Sequence, residues 1–355
     1  MSPDIEKIRT ESQEWLKENT KRYAFKKLEK DIIVPGVCVE CGTCVSNCPV
    51  DAITAERVEG KYTPTLTGKC TACGICYAMC PRTLMLPEDL VGSYKSIWKA
   101  RSTLQQSRKQ DGGVATALLV SEIRRGKIQG AVVATQGENP WLPEATLVTD
   151  EAGILSSGGT IYTHSPIAEG MMSAFEKGFA KLGIVGTSCN IDAISKLKRH
   201  PAGFLSLAKD TEVLKIGLFC MESFDYLGLK GFLKENDIAI EEVARMAIAG
   251  GKFAVHYHDL EKEWPIAELN HIATRSCSYC HDLTSKNSDI SCGNIGSDAN
   301  WTTVIVRTER GVEAFNAALK AGIIESEELD EKGVQAVENT ARSKGTRYYK
   351  MEPAH

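Results

Sequence analysis

The chain has 355 residues, 25% charged and 43% hydrophobic, which is room for two or three domains of ordinary globular composition. A net charge of −4 argues against nucleic acid as a partner. No apolar run approaches the roughly 18 residues of a membrane span. The charged N-terminus lacks the apolar stretch of a signal peptide, so any association with a membrane is expected to run through a partner protein.

Residues 4–30 read as helical, with Ile5, Ile8, Trp15 and Leu16 near one face. Residues 1–33 are therefore expected to form an arm that packs on its own chain or docks on a partner subunit.

Residues 34–86 hold the strongest signal. CVECGTCVSNCP and CTACGICYAMCP are both C-x2-C-x2-C-x3-C-P runs. This is the spacing of a bacterial two-cluster ferredoxin, in which the fourth Cys of each run ligates the other cluster. The expected ligand sets are Cys38, Cys41, Cys44 and Cys80 for one [4Fe–4S] cluster, and Cys70, Cys73, Cys76 and Cys48 for the other. Gly42 and Gly74 let the backbone approach closely, and Pro49 and Pro81 turn the chain after the fourth ligand. Zinc needs only paired C-x2-C units and would leave four of the eight idle. Thiolate ligands on this scale imply a reducing, cytosolic setting. Between the runs, ITAERVEGKYTPTL predicts a hairpin around Glu59-Gly60.

Residues 87–110, opening with Pro87 and rich in Ser, Lys and Gln, read as a linker. From 111 to 355 strands and helices alternate, which predicts an α/β domain with a mixed sheet, so the whole is α+β / α/β with the ferredoxin module in front. Expected strands are 130–135, 145–149, 182–187, 214–220, 253–258 and 301–308. Helices are expected after Gly113, over 167–180, after Cys189, twice within 224–248, after Gly311 and from Glu325 onward.

Two strands run into cysteines, Cys189 and Cys220, and strand ends are where α/β sheets build sites. Cys277 and Cys280 add a C-x2-C pair. Together the four can hold a third [4Fe–4S] cluster; the alternative is two buried free thiols and a pair that binds zinc or nothing. Cys292 reads as a small packed residue. Gly112-Gly113 before a helix, and the loop SSGGT over 156–160, can present N–H groups to a phosphate, or are ordinary turns. No G-x-G-x-x-G follows a strand, and no catalytic triad or H-E-x-x-H appears. The scattered histidines, His164 among them, read as structural or solvated. Lys196, Lys198 and Arg199, with His200, form the densest basic cluster, either a contact for an anionic substrate or a solvated helix end.

DGGVATALL, GTSCN, GLFC, RSCSYCHD, DISCGNIG and WTTVIVRTERG, in this order, resemble the family of the coenzyme F420-reducing hydrogenase beta subunit. With a ferredoxin module in front, the arrangement resembles the input subunits of coenzyme F420H2 dehydrogenases. The resemblance implies an oxidoreductase with FAD on a face drawn from Gly112, Gly113, Thr116, Ser157, Gly158, Thr160, Tyr162, Thr163, Asn294, Gly296 and Trp301. It implies a [4Fe–4S] cluster on Cys189, Cys220, Cys277 and Cys280, three clusters in all, coenzyme F420 as substrate and a redox partner protein or complex. Ser188 and Asn190, where the family often has Pro and Gln, and Asn294, where it often has Asp, depart from the pattern. F420H2 gives electrons as hydride and clusters take them singly, so a flavin must stand between. A flavin-free electron-transfer subunit, and a reductase of hydroxymethyl (bacterio)chlorophyllides, which resembles the same family, are the alternative readings.

Overall fold

Thr20 turns the chain out of the first helix, so the expected single helix over 4–30 is broken. The computed structural model describes residues 4–106 and 108–347. Residues 1–3 and 348–355, the ends of the expected arm and of the second domain, lie outside the described residues. Helix α1 (Ile5–Asn19) is capped by the Asp4 carboxylate, which accepts from Lys7 N at 3.1 Å. Helix α2 (Phe25–Leu28) follows after the break and continues as a π-turn over Glu29–Ile33. Of the apolar face, Leu16 is buried while Ile5, Ile8 and Trp15 are about half exposed.

The chain divides into two units, one of residues up to Leu90 together with those from Gly345 on, the other Val91–Lys344. In the first unit, α3 (Thr43–Ser46) and α4 (Ile75–Ala78) carry the third cysteines of the two Cys runs. Each starts from a left-handed glycine, Gly42 at φ 75° and Gly74 at φ 92°, a conformation that costs any residue with a Cβ. Strands β1 (Ile53–Val58) and β2 (Lys61–Leu66) form the expected hairpin. Glu59 and Gly60 both have positive φ, as a two-residue turn matched to the strand twist requires. Phe25, Leu28, Ile32, Ile53 and Tyr77 pack with the cysteines in one apolar cluster.

Residues 87–110 are not a linker. Helix α5 (Pro87–Val91) and strand β3 (Ser96–Ser102) occupy them. The remaining strands are β4 (Gly130–Gln136), β5 (Pro143–Val148), β6 (Lys181–Thr187), β7 (Glu212–Leu218), β8 (Val243–Ala249), β9 (Lys252–Tyr257), β10 (Leu260–Pro265), β11 (Ile290–Gly293), β12 (Thr302–Val306) and β13 (Ile324–Glu328). The main sheet runs β13-β3-β12-β11-β7-β6-β4-β5. It is mixed: β11, β7, β6 and β4 are mutually parallel, and the other neighbours are antiparallel. β3 therefore lies inside the sheet, pairing Ile97 with Ile305 and Lys99 with Glu327.

Helices α6 (Val114–Arg124) and α12 (Glu309–Lys320) cover one face, with α7 (Glu151–Ser156) beside α6. Helices α8 (Ile167–Glu176), α9 (Ser188–Arg199) and α10 (Phe204–Leu207) cover the other. β4 shows how alternation serves both: Ala131 and Val133 join the α6 and α12 core while Val132 joins the α8 and α9 core. Each such buried Val, Leu or Ile side chain contributes about 1.5–3 kcal/mol. A second, antiparallel sheet, β10-β9-β8, packs with α11 (Tyr226–Glu235) around Phe224, Phe253 and Trp264. β8 takes up residues expected to be helical, because Val243, Met246 and Ile248 are needed on that core. Helix α13 (Glu331–Thr346) closes the described chain.

Arg307 follows β12 into the interior. Its Nε donates to Ser291 Oγ at 2.8 Å, and its terminal nitrogens donate to Ser93 O and Thr284 O, each at 3.1 Å. One planar guanidinium so joins the chain at Ser93 to the 284–291 stretch, nearly 200 residues later. Among the described residues, no helix is long and apolar enough to cross a membrane.

Candidate functional site

The eight cysteines of the first unit line two separate cavities. One is walled by Cys48, Cys70, Cys73 and Cys76 with Tyr23, Phe25 and Ile53. The other is walled by Cys38, Cys41, Cys44 and Cys80 with Leu28, Ile32 and Pro64. The grouping follows the crossed pattern: each run sends its fourth Cys to the other cavity. Burial, then the neighbouring Cys38, Cys41 and Cys80, push the Cys44 thiol up to about 11. Burial, then Cys73, Cys70 and Cys44 of the other cavity, push the Cys76 thiol up to about 12. Without a cation such thiols keep their protons; a bound metal cluster replaces protons with positive charge.

In the second unit, strand direction decides what meets what. β3, β4, β6, β7 and β11 all run the same way, so their carboxyl ends share one edge of the sheet. That edge receives Gly112 and Gly113 ahead of α6, Cys189 after β6, Cys220 after β7 and Asn294 after β11. The 157–165 loop, leading into α8, joins them there. Carboxyl edges are where open α/β sheets bind ligands.

Cys189, Cys277 and Cys280 each act electrostatically on Cys220, whose thiol is pushed up to about 12, chiefly by burial. Cys189 sits in the first turn of α9, and its thiol is lowered by a hydrogen bond with His164. Burial raises the Cys277 thiol, but His164 and the Ser223 N–H outweigh it and the net shift is downward. His164 Nε2 is 3.7 Å from Cys277 Sγ, and Ser223 N donates to the same sulfur at 3.3 Å. His164 thus belongs to the cysteine site although it reads in the sequence as one scattered histidine among several. Its nearness to Cys189 and Cys277 in space leaves no local pattern. Among the described residues, no three His, Cys, Asp or Glu side chains close tightly enough for a single metal ion. A cubane makes another demand: its irons and sulfides stand between the thiolates, which stay well apart. Cys292 lies elsewhere, within β11 and the sheet core, 2% exposed.

Two of the expected flavin residues, Tyr162 and Asn294, meet at β8. Tyr162 accepts through its hydroxyl from Ile248 N at 2.9 Å, and Asn294 Nδ2 donates to Ile248 O at 3.1 Å. Asp111 lies within electrostatic reach of both Tyr162 and Arg245. Gly113, at φ 68°, is the N-cap of α6, and Gly112 N donates to Thr302 Oγ1 at 3.1 Å. Gly158 is pressed against Arg108 O, with no room for a Cβ, and Gly296 against Gly333. Thr163 is buried, its hydroxyl on Trp141 O at 3.1 Å. Thr116 and Thr160 are half-buried, and Ser157 Oγ donates to Ile154 O at 2.8 Å. Trp301 has Lys99 Nζ 5.2 Å and the Arg101 guanidinium 4.7 Å from its ring centre.

The basic cluster is elsewhere. α9 runs back along β6 and β7, so Lys196, Lys198 and Arg199 lie about 10–15 Å along the helix from Cys189, toward the edge where those strands begin. Lys198 Nζ donates to Leu205 O at 3.3 Å. These residues are therefore a helix length from Cys189, because proximity in sequence is undone by the helix between them.

Family models agree with this division. One described as coenzyme F420 hydrogenase/dehydrogenase, beta subunit N-term, matches residues 97–171, and its C-terminus counterpart matches 179–332. A 4Fe-4S dicluster domain matches 30–81. A coenzyme F420 hydrogenase subunit beta from Methanothermobacter thermautotrophicus is 36% identical over 67% of this chain and 86% of its own length. The chain belongs to the family of coenzyme F420 hydrogenase/dehydrogenase beta subunits. This family member is also 30% identical to a protein of the F(420)H(2) dehydrogenase of Methanosarcina mazei, over 81% of this chain and 83% of that one. A chain of the F420-reducing [NiFe] hydrogenase complex from Methanosarcina barkeri superposes with a TM-score of 0.70 at 30% identity, covering 73% of this chain and 91% of that one. The match to the family's N-terminal portion starts within β3, which agrees with that strand belonging to the second unit.

Proposed function

We propose that this family member oxidises reduced coenzyme F420 at an FAD site and passes electrons singly through three [4Fe–4S] clusters to a partner protein or complex. One observation carries the reading: a single sheet edge holds both the Cys189, Cys220, Cys277 and Cys280 set and the loops around Gly113, Tyr162 and Asn294. FAD supplies the exchange between hydride and single electrons, which neither a deazaflavin nor a cluster performs alone.

The residues suit these groups. The four cysteines gather under partial burial with N–H, imidazole and helix-terminus donors around their sulfurs, the surroundings that tune a cluster. Among the described residues no side chain caps the N-terminus of α6, which offers its N–H groups to a pyrophosphate. Gly159, beside it in the 157–165 loop, has open space where a Cβ would stand. Tyr162 and Asn294 hold β8 in place by its Ile248 backbone, and so shape the face on which an isoalloxazine would lie. The two cavities of the first unit would hold one cluster each, with Cys48 and Cys80 exchanged. Hydride transfer between stacked rings needs positioning rather than an acid–base side chain, which agrees with the lack of a triad.

Anaerobic mixing with reduced coenzyme F420 and a viologen dye tests the proposal. Dye reduction by flavin-loaded protein is expected. A protein that contains flavin and full iron yet leaves F420H2 unoxidised would refute it. The flavin-free electron-transfer reading draws on the finding that Gly112, Gly158, Tyr162 and Asn294 all have structural partners of their own. Loss of all flavin under mild anaerobic purification, with electron transfer retained, would decide for it.

A further inference from the structure

Lys344, in the last turn of α13, is 1% exposed. Its ammonium does not cap its own helix. It donates to Cys220 O, and to Asp282 O at 2.9 Å. Both acceptors are neutral carbonyls. The nearby Asp282 carboxylate is engaged by Thr284 N at 3.0 Å and Lys286 N at 2.8 Å. A buried ammonium on neutral partners is costly unless negative charge stands close by. Its two acceptors belong to the cysteine site: Cys220 itself, and Asp282 two residues after Cys280. Lys344 lies beyond residues 179–332, so similarity to the family's C-terminal portion does not account for it.

We propose that Lys344 is the counter-charge of this thiolate set and raises the reduction potential of a cluster held by Cys189, Cys220, Cys277 and Cys280. The inference rests on the third cluster of the reading above. A cubane on four thiolates is anionic, and taking one electron from the reduced flavin adds one negative charge. A fixed positive charge a few ångströms away therefore favours the reduced form over the oxidised one. The hydrogen bonds to Cys220 O and Asp282 O also anchor the backbone beside Cys220 and Cys280, which positions two of the four sulfurs.

The test is a potentiometric titration of the full-length protein followed by electron paramagnetic resonance, with iron content measured in parallel. Lys344→Met keeps the aliphatic stem and removes the charge; Lys344→Arg keeps the charge. In Lys344→Met the reduced-to-oxidised ratio of this cluster at a fixed potential should fall at least tenfold, which is about 59 mV for one electron. The two clusters of the first unit should not move, and Lys344→Arg should stay near wild type. An unchanged potential in Lys344→Met at about twelve irons per chain overturns the inference and leaves the third cluster standing. Loss of the cluster in Lys344→Met but not in Lys344→Arg supports the charge requirement; loss in both overturns it. About eight irons in reconstituted wild type defeats the three-cluster reading itself.

Discussion

Cys44 and Cys48 stand four residues apart yet face different cavities, Cys44 with Cys38, Cys41 and Cys80, Cys48 with Cys70, Cys73 and Cys76. On a continuous helix, residues four apart share a face. Here α3 ends at Ser46 and Asn47, at φ −101° and ψ 6°, turns the chain so that the next residue looks the other way.

Cys48→Ser is therefore expected to weaken the cluster otherwise held by Cys70, Cys73 and Cys76. Iron should fall from about twelve toward about eight per chain, or the cluster should lose one iron. Site-resolved spectroscopy that found the Cys38, Cys41 and Cys44 cluster affected instead would reverse the wiring.

Cys220→Ala should remove the cluster of the second unit, lower iron by about four, and stop dye reduction while flavin is still reduced by F420H2. Cys292→Ala should leave iron unchanged. Burial pushes the Cys292 thiol from its ordinary 9.0 up to about 12, so it should resist alkylation in the native protein. The folded state holds that proton more tightly than the unfolded one. Its contribution to stability is intact below pH 9 and drains as pH rises toward 12, a loss the Cys292→Val variant should lack.

Gly113→Asp should reduce flavin content severalfold. It places a carboxylate at the N-cap of α6, where an anion would lie, in a left-handed conformation that disfavours a side chain. Gly113→Asn tolerates the same conformation without the charge and should retain more flavin. Equal flavin in wild type and both variants would move the pyrophosphate elsewhere.

The Lys198→Glu, Arg199→Glu double variant should leave the KM for F420H2 unchanged at low ionic strength, since its residues sit toward the opposite sheet edge from the site. A rise in KM that salt abolishes would place the substrate there after all.

Arg307→Met should lower stability by about 2–4 kcal/mol, because Ser93 O and Thr284 O lose their donor in the interior. Thermal denaturation should show a Tm about 5–15 °C lower. Arg307→Lys should recover little of it, since one ammonium cannot reach Ser93, Thr284 and Ser291 together as the guanidinium fork does.

The ferredoxin unit was readable because cluster ligands are local: spacing alone names all eight cysteines and their exchange. The strands 182–187 and 214–220 were readable as apolar runs, and their direction carries Cys189 and Cys220 to one edge. β3 was not readable. SIWKARS is short and half polar, as suits a strand with helices over only part of it, and such a segment resembles a linker until its partners, roughly 200 residues later in the chain, are known. β8 was hidden by VARMAIA, whose alanines suit a helix better than a strand; tertiary packing overrides the preference. His164 and Lys344 reach the cysteine site from segments with no motif of their own. KLKRH shows the converse: it is close to Cys189 in sequence and a helix length away in space.

The position of β3 also determines where the chain can be divided. A fragment beginning at 111, where the sequence suggests a domain starts, would remove an inner strand and bare the pairing edges of both β12 and β13. Unpaired edges of that kind recruit other chains. Such a fragment should precipitate or swap strands, whereas one beginning at 91 keeps the sheet whole. Limited proteolysis of the intact protein should spare 96–102 for the same reason.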